Sequence, residues 1–186
     1  MMGTKICGIV LAGGKSSRMG TDKSELTYKG RTFLEIQVDK MKALGLSDIF
    51  ISGKASDLPG TVCLPDVVAD KGPLGGLYSC FLMCGGRPVL VLSVDLPLIS
   101  LITLERLVTT FKAESCDGLV LSYKGRPEPL IAVYNSETTD ILKELLEAGD
   151  LAVSAFMQQI DCRFLPFEGD SRELLNCNTP EDLSFL

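Results

Sequence analysis

Short apolar runs alternate along this chain with longer stretches in which apolar residues recur at helical spacing. The runs predict β-strands and the longer stretches predict helices. Strands that alternate with helices favour a mostly parallel central sheet with helices on both faces, which is a three-layer α/β fold. Residues 89–92 are apolar at every position, as expected of a central strand that is buried on both sides.

The positions of these elements can be estimated from the pattern. We predict strands at residues 6–11, 49–52, 89–93, 118–121 and 130–134. We predict helices at residues 32–44, 74–83, 101–112, 136–148 and 152–159. No internal repeat or linker divides the 186 residues, so we expect a single domain over residues 1–186 with a substantial core.

A glycine pair with positive charges nearby follows the first predicted strand. Gly13 and Gly14 lack the side chains that would keep phosphate oxygens away from backbone N–H groups. Arg18 can hold a phosphate in a bidentate fork, and Lys23 can act as a mobile point charge. The spacing differs from that of the P-loop and of the dinucleotide-binding loop. The segment is typical of a polyphosphate-binding loop, although a glycine turn beside solvated basic residues shares part of the pattern.

Asp95 directly follows the apolar run at residues 89–93. Open parallel sheets bind ligands at the carboxyl ends of their strands, where Asp95 would lie within reach of phosphates held by the glycine loop. A carboxylate there could bind the Mg²⁺ that accompanies a nucleotide. The alternative is that Asp95 caps a helix or forms a turn, as Asp commonly does.

The composition narrows the classes of function. Hydrophobic residues make up 46% of the chain, and its net charge is −6, which disfavours nonspecific binding to nucleic acid. There is no histidine, and the seven cysteines include no Cys-x-x-Cys pair, which strongly disfavours zinc chemistry and a Cys–His nucleophile. Cys80 and Cys84 could form a metal or redox pair, but such residues are more often small buried hydrophobes.

The sequence also bears on location. The apolar stretch at residues 6–12 is too short for a signal peptide, and the one at residues 88–102 is interrupted by Asp95 and Pro97. The odd number of cysteines fits a reducing compartment. We therefore expect a cytoplasmic protein that binds neither membranes nor nucleic acid.

Four segments, in order along the chain, resemble the nucleotidyltransferase superfamily that activates sugars and cofactors, and in particular its molybdenum cofactor guanylyltransferases. They are LAGGKSSRMGTDK at 11–23, GPLGGL at 72–77, VDLP at 94–97 and NCNTPEDL at 176–183. The resemblance implies a Rossmann-like nucleotidyltransferase fold. It also implies transfer of GMP from GTP to Mo-molybdopterin with release of pyrophosphate, and cofactor-delivery proteins or recipient molybdoenzymes as further partners.

The same resemblance implies roles for particular residues. Catalytic roles fall to Arg18, Lys23 and Asp95, with Mg²⁺ on Asp95. The residues implied in GTP binding are Leu11, Ala12, Gly13, Gly14, Lys23, Ser52, Asp66 and Asp95. Those implied in binding the acceptor are Gly75, Glu128 and Asn178.

Several alternatives remain open at this point. Related guanylyltransferases often have Asn where this chain has Ser52, and some have His where it has Glu128. Asp66 could be a turn residue after proline, and Thr179 could cap a final helix. Cytidylyl transfer to molybdopterin, nucleotidyl transfer to a sugar phosphate, and a non-catalytic nucleotide-binding module are the competing functions. Gly13 favours guanine, because cytidylyl relatives usually carry alanine there.

Overall fold

A mixed sheet of seven strands forms the middle layer of the computed structural model, which describes residues 5–13, 23–65, 67–68, 71–177 and 182. Its strands are β1 (Cys7–Leu11), β4 (Ile49–Ser52), β5 (Thr61–Leu64), β6 (Pro88–Ser93), β7 (Gly118–Tyr123), β8 (Arg126–Asn135) and β9 (Cys162–Pro166). A separate hairpin consists of β2 (Thr27–Tyr28) and β3 (Arg31–Thr32). The order across the sheet is β5-β4-β1-β6-β8-β7-β9, and β8 runs antiparallel to the other six strands.

Helices cover both faces of this sheet. One face carries α1 (Phe33–Ala43) and α3 (Leu101–Ala113). The other carries α2 (Gly72–Cys84), α4 (Thr139–Ala148) and α5 (Val153–Gln158). The predicted three-layer α/β fold with a mostly parallel sheet is therefore confirmed, whereas the extent of the domain over residues 1–186 stays a prediction.

The central strands explain why the core lies on both sides. In β6, Leu90 and Leu92 pack into the cluster beneath α1 and α3, while Val89 and Val91 pack into the cluster beneath α2. All four side chains are buried, which confirms the sequence prediction for residues 89–92. Successive side chains of a strand point to opposite faces, so an unbroken apolar run supplies both clusters at once.

The predicted elements are all present, with ends shifted by a few residues. The short strands β2, β3, β5 and β9 were not predicted. β8 follows β7 through a tight turn at Lys124 and Gly125, whose φ angles are 50° and 76°. Two successive positive φ angles are typical of a two-residue hairpin turn, and this turn is what reverses the direction of β8.

Two helices begin as their sequences indicate. Thr32 caps α1: its hydroxyl accepts a hydrogen bond from the Glu35 N–H, and the Glu35 carboxylate accepts one from the Thr32 N–H at 2.7 Å. This reciprocal arrangement satisfies two backbone donors. Pro73 lies in the first turn of α2, where its fixed φ and missing N–H are tolerated. None of the helices in the described segments combines the length and the apolar character needed to cross a bilayer.

Cys80 and Cys84 are buried between α2 and the sheet, as free thiols whose sulfur atoms are 3.7 Å apart. The Cys84 pKa is lowered by a hydrogen bond with Cys7, but a hydrogen bond with Cys80 and burial outweigh this and raise it to about 12. A thiol with so high a pKa is a poor metal ligand or nucleophile. Both residues are buried in the core, as their interpretation as small buried hydrophobes predicts.

Candidate active site

Three strands of the sheet end at the same level. Leu11, the last residue of β1, is paired with Ser52 at the end of β4 and with Ser93 at the end of β6. The next residue after β6, Val94, donates a backbone hydrogen bond to the Leu11 carbonyl at 3.1 Å. The loops that leave these strands therefore lie side by side, which confirms that the start of the glycine loop and the Asp95 segment come together.

The loops that follow β1 and β4 touch through two glycines. A Cβ atom at Gly13 would lie 2.8 Å from the Cα of Gly53, and a Cβ at Gly53 would lie 2.3 Å from the Cα of Gly13. The N–H groups of Ala12 and Gly13 donate to the Ser52 carbonyl at 2.9 and 3.2 Å. These N–H groups therefore bind the end of the neighbouring strand β4. A glycine is needed at position 13 for packing against Gly53, whether or not it also makes room for a ligand.

The glycines of α2 are also explained by close contacts. A Cβ at Gly76 would lie 2.5 Å from the Ser52 hydroxyl oxygen and 2.8 Å from a methyl carbon of Leu11. A Cβ at Gly75 would approach the Lys71 side chain at 3.0 Å and the Val68 carbonyl at 3.2 Å. The absence of side chains thus lets α2 pack against the strand ends, and a role for Gly75 toward an acceptor stays a prediction.

Asp95 lies in the turn that follows β6 and is half-buried. The Ser93 hydroxyl donates a hydrogen bond to one of its carboxylate oxygens. Its backbone carbonyl accepts a hydrogen bond from the Cys177 N–H at 2.8 Å. Asp95 does not cap the next helix, because the Ser100 hydroxyl does so by accepting a hydrogen bond from Thr103 N–H at 3.1 Å. Its carboxylate thus lies just beyond the end of β6, next to the end of β1 from which the glycine loop leaves.

Two side chains of α1 that the sequence analysis missed form hydrogen bonds to the backbone of this turn. The Gln37 amide donates to the carbonyls of Ser93 and Leu96 at 2.9 and 2.8 Å. The Lys40 amine donates to the Pro97 carbonyl at 2.6 Å. Burial lowers the Lys40 pKa to about 8, while the nearby Glu173 acts in the opposite direction. The available signal was that Gln37 is a polar residue in the middle of the apolar stripe of α1.

Lys54 is a cation near the site that was also missed. It directly follows Gly53, and its amine lies 3.0 Å from a carboxylate oxygen of Glu25. Glu25 ends the short 3-10 helix Lys23–Glu25. The ion pair therefore joins the loop after β4 to the short helix that begins at Lys23.

Other predicted site residues are placed only in part. Glu128 lies on β8 and is half-buried, and burial raises the pKa of its carboxyl group. The pairing of β8 with β6 ends at Ile131 and Leu92, so Glu128 lies beyond it, toward the edge where Asp95 follows β6. Lys23 has a described backbone only. Gly14, Arg18, Asp66, Asn178 and Thr179 lie outside the described residues.

The acidic residues set a limit on how a metal ion could be held. Within the described segments, no three His, Cys, Asp or Glu side chains are grouped as a metal cage would require. Mg²⁺ that arrives with a nucleotide needs only one or two carboxylates, since phosphates and water complete its shell. Asp95, an oxygen ligand at the end of β6, fits that type of site.

Several known proteins resemble this chain in sequence or in fold. Molybdenum cofactor guanylyltransferase from Xanthomonas euvesicatoria is 32% identical over 183 residues, which cover 96% of this chain and 93% of that protein. Molybdopterin-guanine dinucleotide biosynthesis protein A from Archaeoglobus fulgidus has the same fold, with a TM-score of 0.78, 21% identity, and coverage of 97% and 96%. A Mycobacterium tuberculosis protein crystallised with manganese gives a TM-score of 0.71 at 20% identity, with coverage of 99% and 98%.

The match to the Xanthomonas protein over nearly the whole chain and the match to a nucleotidyltransferase family model identify this protein as a nucleotidyltransferase, as the resemblance implied. Residues 8–162 match the MobA-like NTP transferase domain. The chain belongs to that family.

The contact between Gly13 and Gly53 leads to a stability prediction. Gly53 has a φ of 84°, and its missing Cβ would collide with the Gly13 backbone, so Gly53→Ala should lower the free energy of unfolding by about 3 kcal/mol. Gly60→Ala is the matched control, because Gly60 has a φ of 75° but a Cβ there would meet only the end of the Lys42 side chain at 3.7 Å. It should cost about 1 kcal/mol. Equal losses in urea unfolding would contradict the tight contact.

Proposed function

We propose that this protein transfers GMP from GTP to Mo-molybdopterin, which forms the molybdopterin guanine dinucleotide cofactor and releases pyrophosphate. The observation that carries the proposal is that Leu11, the last residue of β1, is paired across the sheet with the last residues of both neighbouring strands, Ser52 and Ser93. Because of this register, the glycine loop and the turn with Asp95 both start at the same end of the sheet. Family membership and the similarity to the molybdenum cofactor guanylyltransferase of Xanthomonas support the particular reaction.

The proposed chemistry suits a chain without histidine. An oxygen of the acceptor's terminal phosphate attacks the α-phosphorus of GTP. As the new P–O bond forms, the bond to the β-phosphate oxygen breaks and pyrophosphate leaves. The attacking phosphate is already an anion, so no strong protein base is needed. Positioning of the two substrates and neutralisation of their charge supply the acceleration, for which Arg18 and Lys23 are the proposed cations.

The described residues would share the work of binding the nucleotide. Leu11, Ala12 and Gly13 would lie against the guanine, with Ser52 beside them. Any new contact to the Ala12 or Gly13 N–H must replace its bond to Ser52. The proposed GTP contacts outside the described side chains are Gly14, Lys23 and Asp66.

Asp95 would hold the Mg²⁺ that accompanies GTP. Bound Mg²⁺ supplies neutralisation of phosphate charge. The Ser93 hydroxyl orients the carboxylate of Asp95, and the turn around it is held by hydrogen bonds from α1 and from Cys177. The manganese in the Mycobacterium tuberculosis relative supports a divalent cation in this fold.

Gly75, Glu128 and Asn178 are the proposed acceptor contacts. Glu128 lies toward the same sheet edge as Asp95, and Asn178 directly follows Cys177, whose N–H binds the Asp95 carbonyl. Cofactor-delivery proteins or recipient molybdoenzymes would take up the product. We also propose a cytoplasmic location, without binding to membranes or nucleic acid.

The proposed metal site predicts the behaviour of Asp95→Asn. A neutral amide is a poorer ligand for a hard cation, so activity should collapse at low magnesium and recover only partly at high magnesium. Asp150→Asn is the control, because Asp150 is an exposed loop residue whose side chain accepts a hydrogen bond from the Ala152 N–H. The measurement is the initial rate as a function of magnesium concentration. If both variants follow the parent curve, Asp95 is a turn residue and the metal lies elsewhere.

Loss of the proposed cation Lys23 should affect turnover rather than folding. Lys23→Ala is expected to lower kcat about a hundredfold, which corresponds to about 3 kcal/mol of lost transition-state stabilisation. Lys112→Ala removes the same charge from an exposed position on α3 and should leave kcat unchanged. Thermal melting checks that both variants fold. Near-normal turnover in Lys23→Ala would remove this residue from the mechanism.

The choice of base separates the guanylyl assignment from its alternatives. GTP should be preferred over CTP by about tenfold or more, which corresponds to about 1.4 kcal/mol. The test is competition between equal concentrations of GTP and CTP, with Mg²⁺ and Mo-molybdopterin, and identification of the product by mass. A cytosine-containing product would support cytidylyl transfer. Transfer only to sugar phosphates, or binding without turnover, would support the other two alternatives.

A further inference from the structure

Gln37 makes an unusual set of hydrogen bonds for a helix residue. It lies in the apolar stripe of α1 with Phe33 and Met41, and none of its surface is exposed. A buried amide is costly unless its polar atoms find partners. Its amide nitrogen reaches beyond α1 and donates to the carbonyls of Ser93 and Leu96.

These two carbonyls lie on either side of Asp95 in the chain. The Ser93 carbonyl precedes Asp95 by two residues, and the Leu96 carbonyl belongs to the residue after it. A single side-chain nitrogen therefore holds both ends of the turn, at 2.9 and 2.8 Å. Movement of either end relative to the other would break one of these bonds.

Lys40 fixes the orientation of that amide. Its amine donates to the Gln37 side-chain oxygen at 3.2 Å and to the Pro97 carbonyl at 2.6 Å. Because the oxygen of Gln37 accepts from an amine, its nitrogen is the atom that faces the two carbonyls. Lys40 is half-buried between these partners, and burial lowers its pKa to about 8.

The turn is also held by a second part of the chain, the segment at residues 171–177. The Cys177 N–H donates to the Asp95 carbonyl at 2.8 Å. Upstream, the Glu173 carboxylate accepts hydrogen bonds from the Ser100 N–H and the Thr103 hydroxyl at 2.9 and 2.8 Å. The backbone of the turn is thus fixed between α1 and this segment, and the Ser93 hydroxyl binds the Asp95 carboxylate.

We infer that Gln37, oriented by Lys40, is a positioning residue that holds the Asp95 carboxylate in place for the metal ion of a bound nucleotide. This inference rests on the proposed function, since it takes Asp95 as the ligand of that metal. Groups that orient a metal ligand typically change metal affinity by ten- to a hundredfold when they are replaced. Gln37 should therefore affect the metal-dependent part of nucleotide binding and not the rest.

The test measures the affinity for GTP by calorimetry, once with Mn²⁺ and once with a chelator. The ratio of the two Kd values is the enhancement that the metal provides. Gln37→Leu should lower this enhancement about tenfold while the metal-free Kd stays within about twofold of the parent. Asp95→Asn should abolish the enhancement. In the Asp95→Asn background, Gln37→Leu should then have no further effect, because two residues that act through one contact are not additive.

Met41→Ala is the control for a loss of stability alone. Met41 is fully buried one helical turn from Gln37 and packs in the cluster beneath α1, so its truncation should lower the melting temperature and leave the enhancement unchanged. If Gln37→Leu does not fold, Lys40→Met decides, since it removes the partner of the amide oxygen at a half-buried position. That variant should lower the enhancement by about threefold.

The outcomes separate this inference from the proposed function. Full enhancement in Asp95→Asn would overturn the metal assignment itself. If Asp95→Asn loses the enhancement but Gln37→Leu keeps it in full, only the role of Gln37 is overturned. The same holds for Lys40→Met if that variant has to be used instead. Equal weakening of metal-free and metal-bound binding, or additive effects in the double variant, would reduce Gln37 to a structural residue.

Discussion

β1 has a strand on each side and a layer of helices on each face, and the site depends on this double constraint. Its alternate side chains supply two different clusters, with Ile9 in one and Val10 in the other. A shift of register by one residue would exchange them. The same shift would move Leu11 away from Ser52 and Ser93. The packing of the core therefore also fixes the level at which the loops of the site begin.

The central part of the fold could be predicted because its strands are continuous apolar runs. β5 and β9 are edge strands whose side chains are partly exposed, so they lack such a run. The direction of β8 could not be read from its apolar residues, since hydrophobic burial does not distinguish parallel from antiparallel pairing. It is set by the turn at Lys124 and Gly125, a local signal that the pattern of apolar runs does not contain.

The position of Asp95 could be predicted because it follows from the end of a strand, while its role stays a prediction. Prediction failed where a role is created by contact with a distant segment. Gly13 was interpreted as making room for a ligand, yet it also makes room for Gly53. Gln37 gave a signal, as a polar residue on an apolar helix face, but the two carbonyls to which it donates lie more than fifty residues away along the chain. Only the folded structure could identify them.

The bond between the Cys177 N–H and the Asp95 carbonyl has a consequence for how the site is completed on folding. A domain generally folds as a unit, and this bond joins segments that are far apart in the sequence, so its formation closes a long loop of chain. Gln37 and Lys40 support the same turn from α1, much earlier in the chain. The turn that carries Asp95 therefore has its full support only in a chain that has folded as far as the segment at residues 171–177.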